Sequence, residues 1–283
     1  MRQPESSHGM RPSLHFGMCG DDLAATARFL QDVEIRDLVC DVRQIPGRQQ
    51  KNQLTQNDLR AFASPLAEAG IRLAVVTVSW ISRDANGNQA GSELATLCHD
   101  IGVLGEAGVP VAQVFETGVI AGGADQESYR DCVYRGYRQI VSACADAGVR
   151  LAIHGGWQPE HALWNTASYL ALFDAVPDTH NGVCLCAGSY YQAGDDVLAA
   201  IRRLAGRLHF VHFRDAAEIG GDCPEMLLGS GNVPFAAVTE ALREVGYDGP
   251  VHCEHFGRFR SEPHGEMAAA WGAGFMRGLF QTR

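Results

Sequence analysis

Eight short apolar runs alternate with eight helix-length segments along almost the whole chain, and this alternation restricts the fold more than any other feature. The runs lie at 14–18, 37–42, 71–79, 109–116, 149–154, 182–187, 207–214 and 249–255. They are rich in Val, Ile, Leu and Phe, the composition of strands covered on both faces. Between them, residue spacing predicts helices near 21–32, 56–69, 91–107, 125–147, 165–175, 193–205, 234–245 and 264–280. Asp21 and Ser92 read as N-caps. Ala69-Gly70, Ala107-Gly108 and Ala147-Gly148 read as helix ends closed by a left-handed glycine. Val133, Tyr137, Ile140 and Cys144 form one helical stripe, and Met267, Trp271, Phe275 and Leu279 another; both read as core faces. A single strand–helix series in 283 residues predicts one (β/α)8 TIM barrel, a fold of roughly 250 residues. The expected barrel domain covers 13–283, after a short disordered lead-in over 1–12.

Composition removes several function classes. The net charge is −10 with no basic stripe, so nucleic-acid binding is not expected. Lys51 is the only lysine and sits in an apparent loop, which argues against Schiff-base chemistry. No apolar run approaches the roughly 20 residues of a membrane span, and the N-terminus lacks the apolar core of a secretory signal. Nine cysteines are scattered without a CxxC pair, the usage of a reducing compartment. A cytoplasmic location is expected.

Four polar residues end four successive runs in the second half: His154, Cys186, His212 and Glu254. Their separations are each close to one strand–helix–strand step. A parallel barrel brings such positions to one rim, where its active sites lie. Two imidazoles, a thiolate and a carboxylate at one point make a divalent-metal site. The thiolate favours zinc, iron, cobalt or manganese over magnesium or calcium. Strand parity selects among neighbours: His209 opposes His212 and reads as packing, while Cys184 lies below Cys186 on the same face.

Other candidates surround this set. His255 follows Glu254 and reads either as a surface residue or, where the strand breaks, as a general acid or base. Arg258 lies three residues further on, and Arg214 or Arg258 would fork onto a substrate carboxylate. Asp215 would orient a ligand imidazole or form a loop ion pair. Glu116, ending the fourth run, would line the mouth. Trp157 would stack on a sugar ring or cover core. Tyr190 or Tyr191 would assist proton transfer. Gly229-Ser230-Gly231-Asn232 lacks a following lysine and reads as a tight turn.

These residues resemble the mannonate dehydratase family, within the wider xylose-isomerase-like TIM barrel superfamily. DAVPDTHNGVCLCAGSY (174–190) is similar to the family's DAVP…NG…FC-[ST]-GS segment, RLHFVHFRD to RIHF-[AV]-HLR, GVRLAIHG to its AIHP strand, and CEHFGRF to PDHGR. AWGAGFMRGL is similar to its final helix, and HFGM…DVRQIPG is a looser match. The resemblance implies that His154, Cys186 and His212 are metal ligands, that Glu254 stands in place of a ligand aspartate, and that His255 stands in place of the catalytic histidine. It further implies manganese as the metal and loss of water from D-mannonate to give 2-keto-3-deoxygluconate. The chain departs from the pattern: it is shorter, Gly-Gly-Trp-Gln-Pro-Glu replaces Pro-Asp-Asp-Pro-Pro after His154, and Arg43-Gln44 stands where the family has a His-Asp pair.

The expected function is therefore a metal-dependent lyase acting on a sugar acid or polyol, with the metal stabilising an enediolate. Two alternatives stay open: a metal-dependent sugar isomerase or epimerase of the same superfamily, and a non-catalytic carbohydrate-binding barrel. Homo-oligomerisation is compatible with such a barrel, but no interface is legible.

Overall fold

A computed structural model describes residues 9–20, 22–122, 125–220, 224, 226–255 and 265–281. All eight expected strands form: β1 (Arg11–His15), β2 (Asp37–Asp41), β3 (Arg72–Ile81), β4 (Val111–Glu116), β5 (Arg150–His154), β6 (Asn181–Cys186), β7 (Leu208–Phe213) and β8 (Pro250–Cys253). They pair in chain order, all parallel, and β8 closes on β1. The expected (β/α)8 barrel is thus observed. Its first strand starts at Arg11, inside the expected lead-in, because Arg11 and Pro12 pair with Pro250 and Val251.

The helices are α1 (Leu23–Asp32), α2 (Pro46–Lys51), α3 (Gln56–Glu68), α4 (Gly91–Glu106), α5 (Gln126–Ala147), α6 (Thr166–Ala175), α7 (Ala187–Gln192), α8 (Val197–Arg203), α9 (Phe235–Glu244) and α10 (Glu266–Gln281). Two of them, α2 and α7, fall outside the sequence expectation; at six residues each they carry no readable period. α8 accordingly begins at Val197 rather than near 193. Gly70, Gly108 and Gly148 do take φ of +77°, +75° and +67°, where a side chain would be strained. Asp22 caps α1 by accepting from Ala25 N at 2.7 Å; Asp21 lies outside the described residues. Ser92 is not a cap, because α4 already starts at Gly91 and Ala90 offers it no side-chain acceptor.

Two apolar layers follow from strand parity. Outward-facing strand residues pack on the helices, among them Leu14, Leu38, Val114, Leu151 and Leu185. A smaller inner plug fills the barrel: Val39, Ala74, Val75, Val111, Ala152, Cys184 and Phe210. Two residues beyond several of these, on the same face, the side chains turn polar: Asp41, Gln113, His154, Cys186 and His212. The plug is therefore the floor of the site. No helix among the described residues is long and apolar enough to cross a membrane.

Candidate metal centre

His154 is the last residue of β5, Cys186 the last of β6, His212 the penultimate of β7, and Glu254 follows β8. The barrel brings all four together. One donor atom from each lies within 4.8 Å of every other, and all four residues are buried. Glu254 Oε2 is 2.7 Å from His212 Nδ1, 3.7 Å from His154 Nε2 and 3.6 Å from Cys186 Sγ.

The donor atoms fit a shared cation. His154 Nε2 and His212 Nδ1 are buried and lack a hydrogen-bond partner among the described residues. Even at 2.7 Å, His212 Nδ1 is not aligned to hydrogen-bond with Glu254. Both point instead at a common space. Donors held tetrahedrally by one ion at about 2.0–2.3 Å sit roughly 3.3–3.8 Å apart, as Glu254 does from His154 and Cys186, while the His212–Glu254 contact is tighter. The mixed sulfur, nitrogen and oxygen set suits zinc, iron, cobalt or manganese.

Electrostatics agree. Burial alone would depress His154, but the adjoining Cys186 and Glu254 push its pKa up to about 10. Burial would raise Glu254, yet His212 and His154 hold it well below the usual carboxylate range. Burial lowers His212 against the pull of Glu254. The cluster thus favours a positive charge, a proton or a cation, beside Glu254.

Beside it opens a cavity of about 180 Å³ that His212 and Glu254 border. His15, Asp41, Trp80, Phe115, His252 and His255 also line it. Trp80 stacks on Phe115 with centroids 4.0 Å apart, and Phe115 leans on His154 at 4.7 Å. Trp80 Nε1 donates to Asp41 Oδ2 at 3.3 Å. Arg43 does not reach the cavity; it folds back onto Asp41 at 2.7–2.8 Å, and Gln44 accepts from Asp41 N. His252 is buried and His15 half-buried, and desolvation pushes His15 down to about 4 and His252 further. Both are neutral near pH 7.

The remaining candidates are distributed unevenly. His255 reaches the cavity: its backbone leaves the strand at φ +47°, and its Nε2 lies 3.6 Å from Glu254 Oε1. Arg214 is buried with its guanidinium 5.8 Å from the centroid of Trp157; neither lines the cavity. No ion pair or hydrogen bond reaches that guanidinium from the described residues. Tyr190 is buried on α7, its ring 6.4 Å from Tyr169, and does not line the cavity. Glu116 corrects the expectation: it faces the helices, not the mouth. Its carboxylate accepts from Arg83 at 2.6–3.0 Å and from Tyr137 Oη at 2.9 Å. Parity explains this, since Gln113 and Phe115 take the inward positions of β4. Asp215 orients no imidazole; it accepts from the N–H groups of Ala216, Gly229, Gly231 and Val233, and so ties down the glycine-rich turn. Arg258 lies outside the described residues.

His15, Asp41, Gln113, Trp80, Phe115 and His252 were not legible as site residues. His252 shares the parity of Glu254, and Gln113 and Phe115 share one parity on β4, so inward alternation was the available signal.

A family profile described as xylose isomerase-like TIM barrel matches residues 33–279. The chain belongs to the xylose isomerase-like TIM barrel family. Within that family it is similar to a mannonate dehydratase of Saccharophagus degradans, 32% identical over 97 residues, covering 31% of this chain and 24% of the relative. Among solved structures, a mannonate dehydratase from Streptococcus suis serotype 2 superposes with TM-score 0.79 at 17% identity, covering 96% and 93% of the two chains. A D-psicose 3-epimerase from Clostridium cellulolyticum H10 superposes with TM-score 0.74 at 15% identity, covering 96% and 100%. These superpositions establish the shared barrel.

Proposed function

We propose that this barrel is a metal-dependent lyase that removes water from a sugar acid. The observation that carries the reading is the cluster of His154, Cys186, His212 and Glu254 bordering an open cavity. A closed structural metal site would have no such access. A divalent cation held there, with manganese as the first candidate, supplies Lewis-acid stabilisation of charge building on a substrate oxygen.

The chain's own residues divide the other tasks. Trp80 and Phe115 form a flat apolar wall for the carbon skeleton of a sugar chain. Asp41 and the neutral histidines 15 and 252 offer hydrogen bonds to hydroxyl groups. His255, part exposed at the mouth, transfers the proton. Arg214, buried without an anionic partner among the described residues, is suited to a carboxylate, and Trp157 covers it. Arg258 shares that role in the reading.

Low identity to mannonate dehydratases and the replacements at 43–44 and 155–160 make a related sugar acid as good a substrate as mannonate itself. The second reading, an isomerase or epimerase, draws on the epimerase that shares this barrel. One assay separates the two. Metal-loaded protein is given D-mannonate and a panel of aldonic acids in heavy water. The lyase reading expects a 2-keto-3-deoxy product that reacts with semicarbazide. Deuterium uptake with the formula of the substrate unchanged would replace it by the isomerase reading. His255→Ala should keep its metal while turnover falls about 10²–10⁴-fold; a fully active variant removes His255 from the chemistry.

A further inference from the structure

We propose that Gln113 is a positioning residue that fixes the tautomer of His212 and thereby sets how tightly the centre grips its ion; this rests on the metal reading above. Gln113 sits on β4, buried, and its amide reaches across the barrel interior between Thr77 of β3 and His212 of β7. Its amide contacts Thr77 Oγ1 at 2.9 Å on one side and His212 Nε2 at 3.2 Å on the other. His212 therefore presents Nδ1 to the cluster and Nε2 to Gln113.

Two amide orientations satisfy these contacts, because amide oxygen and nitrogen have the same shape. In one, the amide N–H donates to His212 Nε2. The imidazole proton then sits on Nδ1 and blocks it as a ligand. In the other, the amide oxygen accepts from His212 Nε2–H, which leaves Nδ1 with a lone pair. Its amide N–H then donates to the Thr77 hydroxyl, which accepts as readily as it donates. Cys184 Sγ, 3.6 Å away, tolerates both. The geometry at Nδ1 decides. It lies 2.7 Å from a carboxylate oxygen but is not aligned to donate to it, so a proton there would be buried and unspent. A lone pair there avoids that penalty when a cation lies between it and the carboxylate oxygen, which is the state the metal reading requires. Gln113 and Thr77 thus hold the imidazole in its ligating form, at the edge of the cavity that both of them border.

The test is Co²⁺ titration of the chelator-stripped protein, read by the sulfur-to-cobalt charge-transfer band and by chelator competition, with far-ultraviolet circular dichroism as the fold control. Gln113→Leu should bind Co²⁺ about 10–100-fold more weakly with its fold intact, the usual effect of losing a partner that orients a ligand. Gln113→Glu, whose ionised carboxylate only accepts and so takes the Nε2–H, should stay close to the parent. Thr77→Val, a milder change, should fall between. A Gln113→Glu variant as weak as Gln113→Leu overturns the tautomer assignment. Gln113→Leu at parental affinity overturns the role of Gln113 and leaves the metal centre standing. Should the Gln113 variants fail to fold, Thr77→Val at parental affinity overturns the proposal. A parent that takes up no cobalt overturns the centre itself, and the proposal with it.

Discussion

Replacing Glu116 separates a structural residue from a substrate-binding one. Its carboxylate lies fully buried against Arg83, with three contacts of 2.6–3.0 Å, and also accepts from Tyr137 Oη at 2.9 Å and Gly118 N at 3.0 Å. Glu116→Leu leaves the guanidinium of Arg83 buried without its counter-charge. Breaking one side of a buried pair costs about 3–5 kcal/mol, and the stranded tyrosine and backbone donors add roughly 1 kcal/mol each. At about 2–4 °C per kcal/mol for a domain near this size, the melting temperature should fall by at least roughly 10 °C. Arg83→Leu combined with Glu116→Leu removes both charges and should regain most of the loss, since apolar replacement of a buried pair is often neutral. Calorimetry and urea midpoints measure this. Metal content and turnover per folded molecule should be unchanged in the single variant. Lost turnover at an unshifted melting temperature would refute the reasoning and return Glu116 to the mouth. A double variant no more stable than the single one would refute the charge argument.

Two further outcomes follow from buried groups away from the cluster. His209 is pushed down to about 4 by burial, with Arg150, Arg207 and His180 adding to the effect and its hydrogen bond to Leu151 O opposing it. The unfolded chain binds that proton near 6.5 and the folded chain only near 4, so stability falls as pH drops through this window. The full difference is roughly 3 kcal/mol. Urea midpoints from pH 7 to 4 should show His209→Gln losing less than the parent; parallel curves would remove His209 as a source. Asp215→Asn puts an amide N–H among four backbone donors, should cost about 2 kcal/mol, and should open the 215–233 turn to limited proteolysis. Unchanged cleavage would show that the turn holds without the carboxylate.

The barrel was legible because each strand carries a near-continuous apolar run and the longer helices a stripe of period 3.6, although Met267 and Trp271 of the stripe read as core on α10 stand half exposed. The four donors were legible for the same reason: they are polar residues ending such runs, and His154, Cys186, His212 and Glu254 do converge. The cavity walls were harder to read. On β6 and β7 alternation separates inward from outward residues; applied to β4, the same rule selects Phe115 and Gln113 over Glu116. His15 was hidden because β1 ends at His15, three residues earlier than its apolar run suggests. The partnership of Asp41 with Arg43 and Trp80 depends on a loop that folds back, which no period encodes. Nor does any period report that Asp215 satisfies a turn fourteen to eighteen residues away.

Metal analysis of the purified protein beside Cys186→Ser tests the central claim most directly. The account predicts near-stoichiometric divalent metal in the parent and a large loss in the variant, with both chains folded. A parent free of metal under conditions that load it, or a variant with undiminished metal, would contradict it.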